Sequence, residues 1–189
     1  MSLSNNICYT YISCYRQLLT KAAMKALFSD YPKKFKASTQ HAESHYILQE
    51  GLFAIHGEVP LACKGAIVAT IEEGKTIICK GNPDELPVSI NRNVFTPVYA
   101  LETNGPLAVP TGLILIRYAD NVIAASQKNA IQRIGYIIDQ ELPYAPQALW
   151  LKSANNDTAF AINNVSRLEA LTDVANVEVQ MLMKSARRG

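Results

Sequence analysis

Residues 112–184 read GLILIRYADNVIAASQKNAIQRIGYIIDQELPYAPQALWLKSANNDTAFAINNVSRLEALTDVANVEVQMLMK, and the fold expected of the chain turns on this stretch. GLILIRY (112–118) has the composition of a strand. AASQKNAIQRIG (124–135) follows after a turn, with Ala124, Ala130, Ile131 and Ile134 on one helical face and Gly135 where a helix C-cap belongs. YIIDQEL (136–142) and ALWLKSA (148–154) read as two further strands joined by the proline-containing LPYAPQA. In the second of them Leu149 and Leu151 face away from Trp150. Asn156 or Asp157 can cap a helix running through TAFAINNVSRLEALTDV. VEVQMLMK (177–184) closes the series, with Val177, Val179, Met181 and Met183 on one face. The order β-α-β-β-α-β predicts an α+β class with a ferredoxin-like plait at its C-terminal end.

Upstream, residues 46–110 hold short apolar runs cut by Gly, Pro and Asn, which suits strands. Glu73-Gly74 between AIVATI and TIICK marks a hairpin, and NPDELP (82–87) a turn cluster. PLACKGAIVATIEEG (60–74) faintly echoes PLAVPTGLILIRYADN (106–121). Leu, Ala, Met and Lys favour a helix over 14–28, ended by Asp30-Tyr31-Pro32 because the residue before proline avoids helical geometry. KKFKASTQHAESH (33–45) reads as a linker or a helical extension. The organisation expected is therefore an N-terminal helix and linker (1–45), a β-rich segment (46–110) and the plait with a tail (111–189).

The 189-residue chain is 49% apolar and 18% charged, enough for a core and low enough in charge to suggest a covered surface. A net charge of +2 gives no field for nucleic acid or an anionic membrane. Cys8, Cys14, Cys63 and Cys79 form no C-x-x-C pair and no dense framework, which points to a reducing compartment. MSLSNNICYTYISCYRQ lacks the basic stretch and long apolar run of a signal peptide, and no apolar run approaches the roughly 20 residues that span a bilayer. A cytoplasmic protein is the expectation.

His41 and His45 would share a face if HAESH were helical, as metal ligands do, but no third ligand is near and solvated histidines are the simpler reading. No metal or other cofactor is expected. His56 reads as a packed or half-buried ring. Cys63 and Cys79 flank the hairpin and read as small apolar groups. The glycines make no phosphate loop, Lys33, Lys34 and Lys36 make no nucleic-acid stripe, and the aromatic strand motif of RNA-binding plaits is absent. Trp150 and the tyrosines Tyr9, Tyr11 and Tyr15 read as core or interface anchors. No nucleophile–base or acid–base spacing stands out, so no enzymatic activity is expected.

Residues about 95–185 resemble the propeptide-like domain of subtilisin-like serine proteases. The resemblance is carried by Leu113 to Tyr118 with Asp120 as an opening strand and turn, by Leu142, Pro143, Tyr144 and Pro146 after the second strand, and by Val174, Val177 and Glu178 near the end. After Glu178 the chain departs from the family pattern, with Val179, Gln180 and Met181 where acidic residues are frequent. The protease domain itself is missing, so its triad has no candidate positions. The resemblance implies a folding chaperone or inhibitor of such a protease, in cis or in trans. Its sheet would dock on two protease helices, whose N-termini Asp139 and Glu141 would cap. Its tail, Met183, Lys184, Ser185 and Ala186, would add as a strand in the substrate groove. Solvated strand carboxylates and a frayed terminus are the other readings of those residues. An adaptor binding an unrelated protein through the sheet or the N-terminal helix is the alternative function.

Overall fold

The computed structural model describes residues 27–58, 61–71, 74–81, 83 and 94–184. Nine strands lie among them: β1 (Lys34–Lys36), β2 (His45–His56), β3 (Ile67–Ile71), β4 (Thr76–Lys80), β5 (Phe95–Leu101), β6 (Leu107–Tyr118), β7 (Tyr136–Glu141), β8 (Ala148–Ser153) and β9 (Val174–Met183). The helices are short: α1 (Lys128–Arg133), α2 (Thr158–Asn163) and α3 (Val165–Glu169), with 3₁₀ segments at Leu61–Ala66 and Ala124–Gln127. All nine strands join one sheet in the order β3-β4-β2-β5-β6-β8-β7, with β1 added on β2 and β9 on β6. Every pairing is antiparallel.

This architecture corrects the expected fold class. Over the described residues the chain is a mostly antiparallel β-structure with few helices, and not an α+β protein with a ferredoxin-like plait at its C-terminal end. The physical reason lies in β6. Its first residues pair with β5 (Tyr99↔Ala108), its last with β8 (Leu113↔Lys152 to Arg117↔Ala148), and β9 runs beside it at both ends. Pro110-Thr111-Gly112 looks like a break between segments, but it is a bulge inside one long strand. Residues 111–113 of β6 stand opposite Gln180 alone, between the pairs Pro110↔Met181 and Ile114↔Val179. Gly112 takes φ +87, open to glycine without strain. Thr111 Oγ1 fills the gap, donating to Gln180 Oε1 (2.8 Å) and accepting from Leu113 N (3.1 Å). The echo between 60–74 and 106–121 marks no repeated element, since 3₁₀ geometry fills Leu61–Ala66 where β6 is continuous strand.

The second correction concerns residues 33–45. The KFK stretch (34–36) is strand β1, pairing Phe35 with Tyr46 of β2, and the chain then crosses to β9 at Ser38↔Glu178. Thr39 secures that crossing: its N–H donates to Val177 O (3.1 Å), and its hydroxyl accepts from Val177 N (3.1 Å). The path of pairing β1-β2-β5-β6-β9 thereby returns to the segment that carries β1. Inside the closure Phe35, Tyr46, Tyr99, Ala108 and Met181 pack together, and Tyr99 donates its hydroxyl to Pro32 O (2.9 Å). The helix expected over 14–28 lies outside the described residues except for Leu27 and Phe28, which pack on the cluster of Phe53, Ile55, Ile77 and Phe95.

Beyond the closure the two ends of the sheet differ. Toward β4 and β5 both sheet faces are buried, one in the Phe53 cluster and the other in the cluster of Ala54, Ile78, Val98 and Val109. Toward β7 and β8 the three helices cover one face only. Ile114, Ile116, Tyr136, Leu149, Leu151, Val177 and Val179 meet Ile131, Ala161, Ile162 and Leu168 there. Asp157 caps α2 through Phe160 N (3.0 Å). Asn164 separates α2 from α3 with a non-helical backbone, its side chain donating back to Phe160 O (3.0 Å).

Candidate protein-docking face

Strand pleating puts the neighbours of those core residues on the far side of the sheet. In β6 these are Leu113, Leu115 and Arg117, and in β8 Trp150 and Lys152. Leu115 stands opposite Trp150 on β8 and Glu178 on β9, while Lys152 stands opposite both Leu113 and Ile137. Leu113, Leu115, Ile137 and Trp150 are each half-buried. They make an apolar centre over which no helix of the described residues packs. Its rim is polar: Arg117 pairs with Asp120 (2.8 Å), Lys152 with Asp139 (3.0 Å), and Gln140 and Glu178 are exposed. An apolar centre holding the sole tryptophan, ringed by charge, has the make-up of a protein-binding patch.

The expected contact residues fall in different places. Asp139 is exposed on β7 and held by Lys152 on this face. Glu141 is not beside it. A bulge between Ile138↔Leu151 and Gln140↔Trp150 absorbs Asp139 as an extra residue, and Glu141 comes opposite Leu149, a residue of the helix-side core. The two carboxylates therefore fall on different faces of the sheet. Met183 ends β9, pairs with Ala108 and is 40% exposed, so it belongs to the sheet and not to a free tail. Lys184 is exposed directly after it, and Ser185 and Ala186 lie outside the described residues.

The remaining constellations fall as follows. His41 and His45 share no helix: His45 opens β2 and its Nδ1 contacts Glu43 O (2.8 Å). No group of His, Cys, Asp or Glu among the described residues could hold a metal ion. His56 is half-buried, with Nε2 at 2.8 Å from Thr96 Oγ1 and Nδ1 at 3.3 Å from Thr76 Oγ1, a cross-strand polar link. Beside β1 a shallow groove of about 260 Å³ is lined by Lys34, Phe35, Ile162, Val165, Ser166 and Glu169. Thr39 donates to Glu169 at that seam (3.0 Å). Nothing in the groove pairs an acid with a base. Among the described residues no helix is long and apolar enough to cross a membrane.

Leu113, Leu115 and Ile137 did not stand out in the sequence, because LILI and YII are apolar on both faces. The usable signal was the excess: a sheet covered on one side needs polar residues on the other, and here that other side carries leucine, isoleucine and tryptophan. No family model, no curated protein and no solved structure matches this chain.

Proposed function

We propose that the chain is a non-enzymatic companion of a subtilisin-like serine protease, docking through the uncovered face of β6, β7 and β8 to assist or restrain its partner. The observation that carries the reading is the row Ile137, Leu113, Leu115 and Trp150 on the side of the sheet that no helix among the described residues covers. The choice of partner rests on the sequence resemblance over about 95–185.

In this reading the energy of association comes from burying the Leu115–Trp150 pair against apolar side chains of two protease helices. Asp139, at the rim, is placed to face a helix N-terminus once Lys152 releases it. Glu141 takes no part. A tail entering the substrate groove starts after Met183, since Met183 is held in β9.

The test is a titration of the chain into a subtilisin-like protease while hydrolysis of a peptide substrate is followed. Saturating inhibition or stabilisation at one chain per protease is the expected result. Leu115→Arg should weaken it by about tenfold or more, because a charge at the centre of a contact must be desolvated. Truncation after Lys184 separates the two modes: inhibition that survives it arises from the sheet, and inhibition that vanishes arises from the tail. Failure of every protease of this class to bind overturns the assignment. Binding of an unrelated protein in a Leu115-dependent way would replace it with the adaptor function.

A further inference from the structure

We infer that Cys63 and Cys79 form a redox latch, a disulfide site that fastens the Leu61–Ala66 segment to β4 and locks the β3–β4 end of the sheet. The two thiols come from different elements, are 2% and 0% exposed, and lie in one cluster with Phe53, Ile55, Ile77 and Phe95. The Leu61–Ala66 segment lies against β4, so the two side chains belong to one small cluster of the core. Two cysteines brought together from separate elements are placed to cross-link, and the other uses of a cysteine pair do not fit. Among the described residues no third ligand joins them for a metal. Burial raises both thiols, Cys79 to about 11, so neither is held as the thiolate that a catalytic nucleophile needs.

The latch would act where the sheet is least supported. Among the described residues β3 is the terminal strand and pairs only with β4, and its Ile67 and Val68 are 41% and 50% exposed. A bond from Cys63 to Cys79 would enclose β3 in a covalent loop and oppose its peeling from β4. A low-molecular-weight disulfide serves as oxidant. The deprotonated Cys63 sulfur attacks it, forming a mixed disulfide and expelling one thiolate. The deprotonated Cys79 sulfur then attacks the Cys63 sulfur, expelling the second. One intramolecular S–S bond replaces the bond of the oxidant. The two protons and two electrons leave on two small thiols. Because both sulfurs are buried, the reaction waits for this end to open, and its rate follows that opening.

The inference is independent of the docking face. Its test treats the folded full chain with oxidised glutathione, blocks remaining thiols, and maps cysteines by peptide mass spectrometry. A Cys8→Ala/Cys14→Ala variant removes the other two thiols of the sequence. The expected product is a Cys63–Cys79 cross-link, reversed by dithiothreitol, with amide exchange in β3 and β4 slowed by about tenfold or more. Two results overturn the latch: both thiols recovered free after oxidation of the folded variant, or a cross-link that leaves exchange in β3 and β4 unchanged.

Discussion

The end of the sheet formed by β2, β4 and β5 and the end formed by β6, β7 and β8 solve the same problem differently. In β4, Thr76, Ile77, Ile78 and Cys79 are all buried, and in β5 every residue from Phe95 to Ala100 is. Neighbouring side chains there point to opposite faces, and both faces are covered. In β8 burial alternates instead: Leu149, Leu151 and Ser153 are buried while Trp150 and Lys152 are half-buried. The first end is built to be closed. The second keeps one face available, and its apolar residues there have no partner within the described chain.

The strongest way to break this contrast is substitution of adjacent residues. Ile77→Ala and Ile78→Ala should each cost about 2–5 kcal/mol, since each empties a filled core on its own face. At the other end Leu149→Ala should cost a similar amount, whereas Trp150→Ala should cost under about 1 kcal/mol. Denaturant unfolding measures all four. Equal costs at Leu149 and Trp150 would mean that the second face is closed as well.

Alkaline pH divides the two ends by chemistry. Burial raises Cys79 from 9.0 to about 11, and Cys63 in the same direction, at the β4 end. Burial raises Tyr118 from 10.0 to about 12 and lifts Tyr136 further, both in the helix-covered core. A raised pKa means that the folded state prefers the neutral group. The associated stability is complete below the unfolded value and is lost as pH climbs through the folded one. The β4 end should therefore weaken between pH 9 and 11, and the helix-covered end between pH 10 and 12. For Tyr118 the loss is on the order of 2 kcal/mol. Amide exchange followed against pH should show the β4 end opening first, and Cys79→Ala should remove that earlier phase.

Much of the second end was legible in the sequence. Alternation and Gly/Pro punctuation placed β7, β8, the close of β6 and most of β9. Asp157 is the N-cap of α2, and Gly135 takes the left-handed backbone after α1. The joining of the two ends was not legible, because it depends on pairings far apart in the chain. Pro110 and Gly112 imitate a boundary while forming a bulge, and the KFK strand looks like linker until Tyr46 and its neighbours in β2 supply its partners. The candidate site suffered from the same local reading. Asp139 and Glu141, two apart, should share a face at period two, and one bulged residue in β7 sends them to different faces. Trp150 was legible as an anchor, but nothing local told which face of an all-apolar run would stay open.

Smaller effects sharpen the account of the second end. Gly135→Ala should destabilise by about 1–3 kcal/mol, because φ is +91 and a Cβ would sit 2.7 Å from the Phe160 ring. A thermal melt reads it. Smallest of all is Tyr118→Phe. The Tyr118 hydroxyl is buried with no hydrogen-bond partner among the described residues, so its removal should leave stability within about 0.5 kcal/mol of the parent or raise it. A larger loss, measured by denaturant unfolding, would mean that the hydroxyl is satisfied in solution.

The most direct measurement uses the sole tryptophan as a reporter. A chain labelled with fluorotryptophan gives one fluorine NMR signal, from Trp150. Adding an inhibited subtilisin-like protease should shift and broaden that signal until the two are equimolar, with Leu115→Arg moving the change to a protease concentration about tenfold or more higher. A signal that stays put while the protease binds would place the contact elsewhere and contradict docking through this face.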